Sequence, residues 1–230
     1  MASPSFSDII RMLDEVTVEG DPAAPAVKKR LRIIKAATEV FLQLGYRKAS
    51  VDAIAQRAGV AKGTVYLYFK SKADLLVFAL GAEKREYVEA LRPIFSSEVS
   101  PEQRMAAYLS EAVPLLLRMP LTCRLLRGDR EVSAVFEDLD ADVSARYHAM
   151  QTEFMTRLIE PFASLHGWSA REVEERARVL IALLYASGTL VDEHVRAGLS
   201  AERFGEVFSS LIVDGLRAPS ARSPLHEGEQ

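Results

Sequence analysis

The sequence predicts an all-α protein with two helical domains. Apolar residues recur at steps of three and four along most of the chain, whereas the two-residue alternation typical of half-buried strands is scarce. Charge is unevenly divided, since residues 27–72 contain eleven Lys and Arg against two acids, a net charge of +9, and the remainder carries −12. We therefore expect a basic N-terminal three-helix domain joined to an acidic C-terminal helical bundle.

The N-terminal segment is predicted to contain a short helix ahead of the basic domain. Residues 6–16 carry an amphipathic stripe behind Ser7, a residue type that caps helix N-termini. The string EGDPAAPA then interrupts the pattern with glycine and proline. We interpret residues 1–26 as an extension with a short helix and a linker, and we expect that helix to pack on a neighbouring helix or subunit.

The basic domain, residues 27–72, is predicted to contain three helices. The first runs over about residues 27–44 and is followed by Gly45, which suits a left-handed C-terminal cap. Its buried face is predicted to contain Ile34, Ala37, Phe41 and Leu44. Two short helices follow, near residues 51–58 and 62–68.

The two short helices have the pattern of a helix-turn-helix. Gly59 lies between them, where the chain must turn sharply and where only glycine adopts a left-handed conformation without steric cost. The residues predicted to pack between the helices are Val51, Ile54, Ala55, Ala58, Val65 and Phe69. Such a pair presents the N-terminal residues of its second helix to the major groove of DNA.

Residues 73–217 are predicted to form the acidic helical domain. A long helix starts behind Ser71, whose hydroxyl caps it together with Asp74, and Pro93 limits its length. Further helices are predicted at about 101–118 with a kink at Pro114, 121–127, 139–165, 170–196 and 201–217. Residues 218–230 have no apolar periodicity and are predicted to be disordered.

Composition and motifs argue against an enzyme. Cys123 is the only cysteine, which excludes a disulfide or a cysteine-rich zinc site within one chain. The sequence has neither Gly-x-Ser-x-Gly nor a Walker A loop, and DLDADV has Val143 where a calcium loop requires glycine. No window approaches the roughly 18 apolar residues of a membrane span. We expect a cytoplasmic protein with no catalytic site, metal or cofactor and no membrane association.

The exposed residues of the second short helix are suited to nucleic acid. Lys62 can bond guanine acceptors or phosphate, Gly63 lets the backbone approach closely, and Thr64 offers a methyl group and a hydroxyl. Tyr66 and Tyr68 can reach phosphate oxygens. The spacing alone fits a solvated amphipathic helix pair equally well, and the charge of the domain favours nucleic acid.

The run from Ile33 to Leu76 resembles the DNA-binding domain of TetR-family transcriptional regulators. The family pattern is a first helix ending in Phe-x-x-x-Gly-Tyr and a helix-turn-helix ending in Tyr-x-x-Phe-x-x-Lys, and this sequence has FLQLGY and YLYFKSK. The resemblance implies DNA-contact roles for Ser50, Lys62, Gly63, Thr64, Tyr66, Tyr68 and Lys72. Many members have a serine that caps the recognition helix where this chain has Ala61. A cap and a phosphate contact are therefore missing, or are supplied by Ser50 and backbone amides.

The same resemblance implies that the last two helices form a four-helix interface between two subunits. The sequence adds a wide apolar stripe on the last helix, and VLIALLYASGTL before it is apolar nearly all round. The predicted interface residues are Phe204, Phe208, Leu211 and Ile212. A core packed within one chain is the alternative, and the palindromes that a helix-turn-helix reads favour the homodimer.

Flexible and aromatic side chains of the acidic domain suggest a pocket for a small apolar or aromatic effector. The candidate lining residues are Met105, Tyr108, Met119, Tyr147, Met150, Phe154 and Tyr185. A helical bundle needs the same residue types to fill its core, so packing alone also explains each of them. The candidates to orient a polar head group are Arg124, Arg127, His148 and Thr189.

These observations predict a ligand-responsive repressor that binds a palindromic double-stranded DNA operator as a homodimer. The alternative is an accessory or architectural DNA-binding protein whose C-terminal domain serves only assembly. In the first case a ligand affects DNA affinity, and in the second case it does not.

Overall fold

The computed structural model describes residues 23–137 and 141–217, and these residues form α-helices, one 3-10 helix and no strand. The all-α fold class is confirmed. The predicted helix at residues 6–16 and the tail at 218–230 lie outside the described residues. Of the helices that the structure describes, none has the length and apolar character needed to cross a membrane.

The basic domain contains the three predicted helices α1 (Pro25–Lys48), α2 (Val51–Ala58) and α3 (Lys62–Tyr68). Gly59 has φ 63° and ψ 41°, the left-handed conformation predicted for the turn after α2. Ser50 Oγ accepts a hydrogen bond from the Ala53 amide at 3.2 Å and so caps the N-terminus of α2. The two short helices therefore have the predicted bounds.

The end of α1 differs from the prediction. Gly45 has φ 77° and ψ 162°, which is not a left-handed helical conformation, and helical backbone resumes over residues 46–48. The Glu131 carboxylate accepts a hydrogen bond from the Arg47 amide at 2.9 Å beside this break. Leu44, predicted to be buried, is 47% exposed because the helix is interrupted at the next residue and the buried stripe ends before it.

A long helix, α4 (Lys72–Ser96), leads out of the basic domain. Ser71 Oγ accepts a hydrogen bond from the Asp74 amide at 3.0 Å, which is the predicted cap. Pro93 lies inside the helix, and α4 ends at Ser96, so the proline is near its C-terminus as expected.

The remaining described elements are α5 (Pro101–Leu116), α6 (Pro120–Leu126), α7 (Arg130–Glu137), α8 (Ala141–His166), α9 (Ala170–Ala186), a 3-10 helix (Ser187–Val191) and α10 (Ala201–Arg217). Ser100 and Gln103 form a reciprocal capping box at the start of α5. Pro114 lies inside α5, two residues before its end. α7 is an additional helix that the sequence analysis did not predict.

The helix predicted at 170–196 is wrong beyond Ala186, where α9 gives way to the 3-10 helix and turns. Gly188 packs so closely on α6 that an added Cβ would lie 2.5 Å from Leu126 Cβ. The guanidinium of the buried Arg196 donates to backbone carbonyls of the same turn. The close packing of Gly188 on α6 and the hydrogen bonds of the buried Arg196 stabilise a conformation that is not α-helical in this segment.

Two hydrophobic cores organise the described residues. The helix-turn-helix core contains Ile33, Phe41, Ile54, Val65, Phe69, Leu75 and Leu76 from α1 to α4, together with Leu121 of α6 and Val132 and Val135 of α7. The second core contains Leu91, Met105, Tyr108, Leu109, Met155, Ile159 and Phe162, with Val173, Ala177, Leu180 and Val213 from α9 and α10. Side chains of α6 and α7 therefore complete the core of the basic domain.

The tightest helix pair is α5 with α10, where small residues of α10 meet the backbone of α5. A Cβ added to Gly205 would lie 2.1 Å from the carbonyl oxygen of Ser110. Ser209 Oγ donates to the carbonyl oxygen of Ala106 at 2.8 Å. This contact fixes which face of α10 points inward.

We expect Gly205→Ala to lower the free energy of unfolding by about 1 to 3 kcal/mol or more, because its methyl group collides with a backbone atom that cannot move alone. Gly215→Ala in the same helix is the matched control, since no atom lies within 4 Å of its Cβ position. The control should raise the free energy of unfolding by about 0.5 to 1 kcal/mol through helix propensity. Urea unfolding of both variants at one protein concentration measures the difference, and equal stabilities would refute the close packing.

Candidate functional site

The candidate nucleic-acid interface is the outward face of α3, which the helix-turn-helix core holds in place. Val65 of α3 and Phe69 just after it are buried against Ile54 and Ala55 of α2. Tyr66 and Leu67, between these two positions, therefore point away from the core, whereas Tyr68 packs against it. Lys62, Gly63 and Tyr66 are exposed, and Thr64 and Tyr68 are half-buried.

Lys62 forms an ion pair with Asp52 of α2, with Nζ and Oδ2 at 2.7 Å. The hydrogen bond to this carboxylate raises the pKa of Lys62. The pair is exposed, so an incoming phosphate or base competes with Asp52 for the ammonium at little cost. Lys62 is thus charged and accessible at the N-terminus of α3.

The contacts of Ser50 and Ala61 show whether the N-terminus of α3 is capped. The Ser50 hydroxyl is engaged at the start of α2, with the Ala53 amide. Ala61 provides no side-chain cap for α3, and the Thr64 amide donates to the Ala61 carbonyl at 2.9 Å. Of the two proposed substitutes, Ser50 therefore caps α2 and leaves the N-terminus of α3 without a side-chain cap.

Lys72 lies at the start of α4, and its ammonium is turned back onto the end of α1. Nζ donates to the carbonyl oxygens of Tyr46 at 2.8 Å and Ala49 at 3.0 Å, with Arg47 O at 3.4 Å. It also lies 4.4 Å from the centre of the Tyr46 ring. The structure thus gives Lys72 a positioning role within the basic domain, next to the residues that begin α2.

Leu67 is a candidate that the sequence analysis missed. It is 82% exposed on α3, the largest exposed fraction among the large apolar side chains that the structure describes. An apolar side chain on a recognition helix can contact the methyl group of thymine. Its position between the inward-facing Val65 and Phe69 was the available signal, since a residue midway between two core positions points outward.

A junction of polar contacts connects the basic domain to the acidic one. The buried Glu83 carboxylate of α4 accepts from the amides of Leu121 at 2.9 Å and Thr122 at 2.8 Å, and from Thr122 Oγ1 at 2.8 Å. Burial is the main cause that raises the pKa of Glu83, and these hydrogen bonds oppose it. Arg124 of α6 donates to the Phe41 carbonyl of α1 at 3.2 Å. With the Glu131 contact near Gly45, the junction joins α1, α4, α6 and α7.

The residues predicted to line an effector pocket differ in how far they are buried. Met105, Tyr108 and Met119 are buried and Phe154 is half-buried, whereas the side chains of Tyr147, Met150, His148 and Tyr185 lie outside the described part of the chain. The rings of Phe95, Tyr108 and Phe154 form a cluster with centres 5.5 to 6.3 Å apart. Three of the proposed polar groups have partners within the chain: Arg124 with Asp129, Arg127 with Asp192, and Thr189 with the Ala186 carbonyl.

Of the predicted interface residues, Leu211 is exposed on the surface of the acidic domain, whereas Phe208 and Ile212 pack partly against the second core. A groove of about 510 Å³ runs between α9 and α10, with Leu211 and Ile212 in its lining. Leu211 is 69% exposed, while Phe204, Phe208 and Ile212 are half-buried. The rings of Phe204 and Phe208 stack with centres 6.3 Å apart. Other apolar residues lining the groove are Val179, Leu180, Leu183 and Leu216.

Comparisons with known proteins agree with this architecture. The family described as bacterial regulatory proteins, tetR family, matches residues 33–77. The fatty acid metabolism regulator protein of Bacillus subtilis is 35% identical over 88 residues, which are 38% of this chain and 45% of that protein. The HTH-type transcriptional repressor KstR of Mycobacterium tuberculosis is 46% identical over 153 residues, which are 66% of each chain. The chain therefore matches less than half the length of the Bacillus relative.

A solved structure extends the likeness to nearly the whole fold. A transcriptional regulator of the TetR/AcrR family from Thermobifida fusca superposes with a TM-score of 0.65 and 27% sequence identity. The superposition covers 83% of this chain and 100% of the other. The likeness thus includes the acidic domain as well as the helix-turn-helix.

We expect Lys72→Met to lower the free energy of unfolding by about 1 to 3 kcal/mol, because it removes charge-assisted hydrogen bonds to carbonyls at the end of α1. Lys70→Met is the matched control, since Lys70 is exposed and its backbone amide, which donates to Asp74, is unaffected by the change. Thermal and urea unfolding compare the two variants. Equal unfolding midpoints would contradict the positioning role of Lys72.

Proposed function

Because the chain belongs to the TetR family of bacterial regulatory proteins, we propose that it is a transcriptional repressor that binds operator DNA as a homodimer and responds to a small effector. The observation that carries the proposal is the outward face of α3, where a charged Lys62, an open Gly63 and exposed side chains stand on a fixed core. Residues 27–72 would bind DNA in the cytoplasm, and residues 73–217 would dimerise and bind the effector.

DNA recognition is assigned to α3 in the major groove. Lys62 leaves Asp52 and binds guanine acceptors or phosphate, and Gly63 allows the helix backbone to lie against the DNA. Thr64, Tyr66 and Leu67 supply contacts to bases, methyl groups and phosphates. Ser50 and Tyr68 are placed at the edges of this face, and Lys72 contributes through the position of the α1–α2 connection.

Dimerisation is assigned to the groove between α9 and α10. Exposed apolar side chains such as Leu211 and Val179 are unfavourable in water and are covered when a second copy packs across a two-fold axis. A dimer also explains how two copies of α3 reach successive major grooves, which are about 34 to 36 Å apart. The predicted residues Phe204, Phe208 and Ile212 would support this surface from its inner side.

Effector control is assigned to the second core and the junction. An apolar ligand among the aromatic side chains near Tyr108 would alter the packing of α4 against α6, and Glu83 and Leu121 couple that contact to the basic domain. The effector then favours a conformation in which the two copies of α3 no longer match the groove spacing. The relative from Bacillus subtilis is named a fatty acid metabolism regulator, which supports an acyl chain as the apolar part.

A second candidate function is an accessory DNA-binding protein without small-molecule control. The observation that favours it is the complete burial of Met105 and the near-complete burial of Tyr108, since these side chains already fill part of the second core. Operator affinity distinguishes the two functions. It changes with a bound effector in the first case and is independent of added small molecules in the second.

Selection from a pool of random duplexes tests the DNA-binding proposal directly. Successive rounds of capture should enrich a palindromic sequence that is bound more tightly than bulk duplex at one fixed salt concentration, because nonspecific binding alone varies strongly with salt. A recovered pool with no preference over bulk duplex would overturn the proposal.

We expect Gly63→Ala to lower affinity for the selected operator by about tenfold or more without lowering the unfolding midpoint, because a methyl group at this face keeps the backbone away from the bases. The fold accommodates the methyl group, since nothing lies within 4 Å of the Cβ position. Fluorescence anisotropy with labelled operator measures affinity, and thermal unfolding of the same variant checks that the fold is intact. Undiminished affinity would contradict the placement of α3 against DNA.

Leu211→Glu is expected to raise the dimer dissociation constant by about thirtyfold or more, because it replaces an exposed apolar side chain of the groove with a carboxylate, and Glu172 and Glu175 also line that groove. Leu165→Glu is the matched control, since Leu165 is 62% exposed and does not line the groove. Sedimentation velocity over a dilution series separates monomer from dimer. If both variants remain dimeric at the same concentrations as the parent protein, the groove is not the interface.

A further inference from the structure

Lys84 interrupts a buried apolar stripe of α4 that runs from the helix-turn-helix core at Leu80 to the second core at Leu91. Leu80, Val88 and Leu91, which lie four residues before it and four and seven after it, are buried. Tyr87, one turn away, is half-buried and packs against the second core. Helical spacing thus places the ammonium of Lys84 on the same stripe as these core residues.

The surroundings of this ammonium are aromatic. Lys84 Nζ lies 5.0 Å from the centre of the Tyr87 ring. The Tyr87 and Tyr108 hydroxyls are hydrogen bonded, and burial raises the pKa of Tyr108 well above its ordinary value. The Tyr108 ring in turn contacts Phe95 and Phe154. Lys84 therefore lies at one end of a group of four aromatic side chains.

Lys84 has no carboxylate or carbonyl partner among the residues that the structure describes. The adjacent Glu83 carboxylate is turned to α6, where the Leu121 and Thr122 amides occupy it. Loss of hydration lowers the pKa of Lys84, and among the side chains that the structure describes its Nζ has a cation–π contact with the Tyr87 ring and no ion pair. A half-buried ammonium without a counter-charge is costly, and an anion beside it removes much of that cost.

We propose that Lys84 binds the carboxylate of an amphiphilic effector whose apolar body packs against Tyr87, Phe95, Tyr108 and Phe154. One lysine supplies one positive charge, which matches a singly charged carboxylate, whereas a phosphate is held by several donors or a bidentate arginine. The aromatic side chains select an apolar body. The inference rests on the proposed function only in assuming that the acidic domain has a ligand.

Two matched pairs of compounds test the site without DNA: decanoate with decanol, and phenylbutyrate with phenylbutanol. Calorimetric titration of the full chain should show at least one carboxylate binding about ten- to hundredfold more tightly than its alcohol. Lys84→Met should abolish this preference and leave the affinity for the alcohol unchanged, while Lys84→Arg should retain it. Lys70→Met, which removes an exposed lysine, should behave like the parent protein.

A stability measurement adds a readout that does not depend on the choice of compound. If the Lys84 charge lacks a partner, Lys84→Met should unfold at a higher temperature than the parent protein in the absence of ligand, and the carboxylate should protect only the parent protein. Asp142 is the one acid in residues 141–151, at the start of α8. Should Lys84→Met and Asp142→Asn destabilise the protein equally and non-additively, Asp142 is the partner and the proposal is overturned.

Absence of a carboxylate preference in both compound pairs also overturns the proposal, as does a preference that survives Lys84→Met. These results are independent of the operator selection. If the operator selection fails and carboxylate binding still depends on Lys84, the proposed repressor function is refuted and the carboxylate site is retained. If the operator selection succeeds and no carboxylate binding depends on Lys84, the carboxylate site is refuted and the proposed repressor function is retained.

Discussion

The burial of Glu83 is the constraint on which the relation between the two domains depends. A carboxylate removed from water needs hydrogen-bond donors, and the first amides of α6 supply them together with the Thr122 hydroxyl. If α6 separated from α4, the Glu83 carboxylate would become exposed to water or remain buried without hydrogen-bond donors. Because Leu121 is simultaneously buried in the helix-turn-helix core, the same contact sets the position of α6 against the basic domain.

Neighbouring residues on α4 face different partners, and this arrangement suits a regulated protein. Glu83 accepts hydrogen bonds from α6, which packs on the basic domain, whereas Lys84 Nζ lies against the Tyr87 ring. A ligand that binds the Lys84 ammonium is therefore one residue away from the Glu83 carboxylate, which holds α4 to α6. A small displacement of α4 therefore alters the Glu83 contacts, which are directional and sensitive to geometry.

Local signals made the helix-turn-helix predictable, and long-range contacts account for what was missed. Ser50, Gly59 and Ser71 act through the two to four residues next to them, so their caps and turn are readable from spacing. The end of α9 depends on Gly188 meeting Leu126, some sixty residues earlier in the chain. No local pattern records such a contact. The hydrogen bonds of Lys72 to carbonyls at the end of α1 are likewise not recorded in the periodicity of the sequence.

The connection between α1 and α2 is where the acidic domain contacts the start of the proposed DNA-binding face. Glu131 of α7 accepts from the Arg47 amide and Lys72 of α4 donates to the Tyr46 and Ala49 carbonyls, so two elements clamp the few residues before Ser50. Ser50 in turn begins α2, on which α3 is packed. A displacement of α4 or α7 therefore shifts the N-terminus of α2, where the helix-turn-helix begins. Since coupling free energy is reciprocal, an effector that weakens operator binding through this clamp is itself bound more weakly, by the same factor, when operator is present.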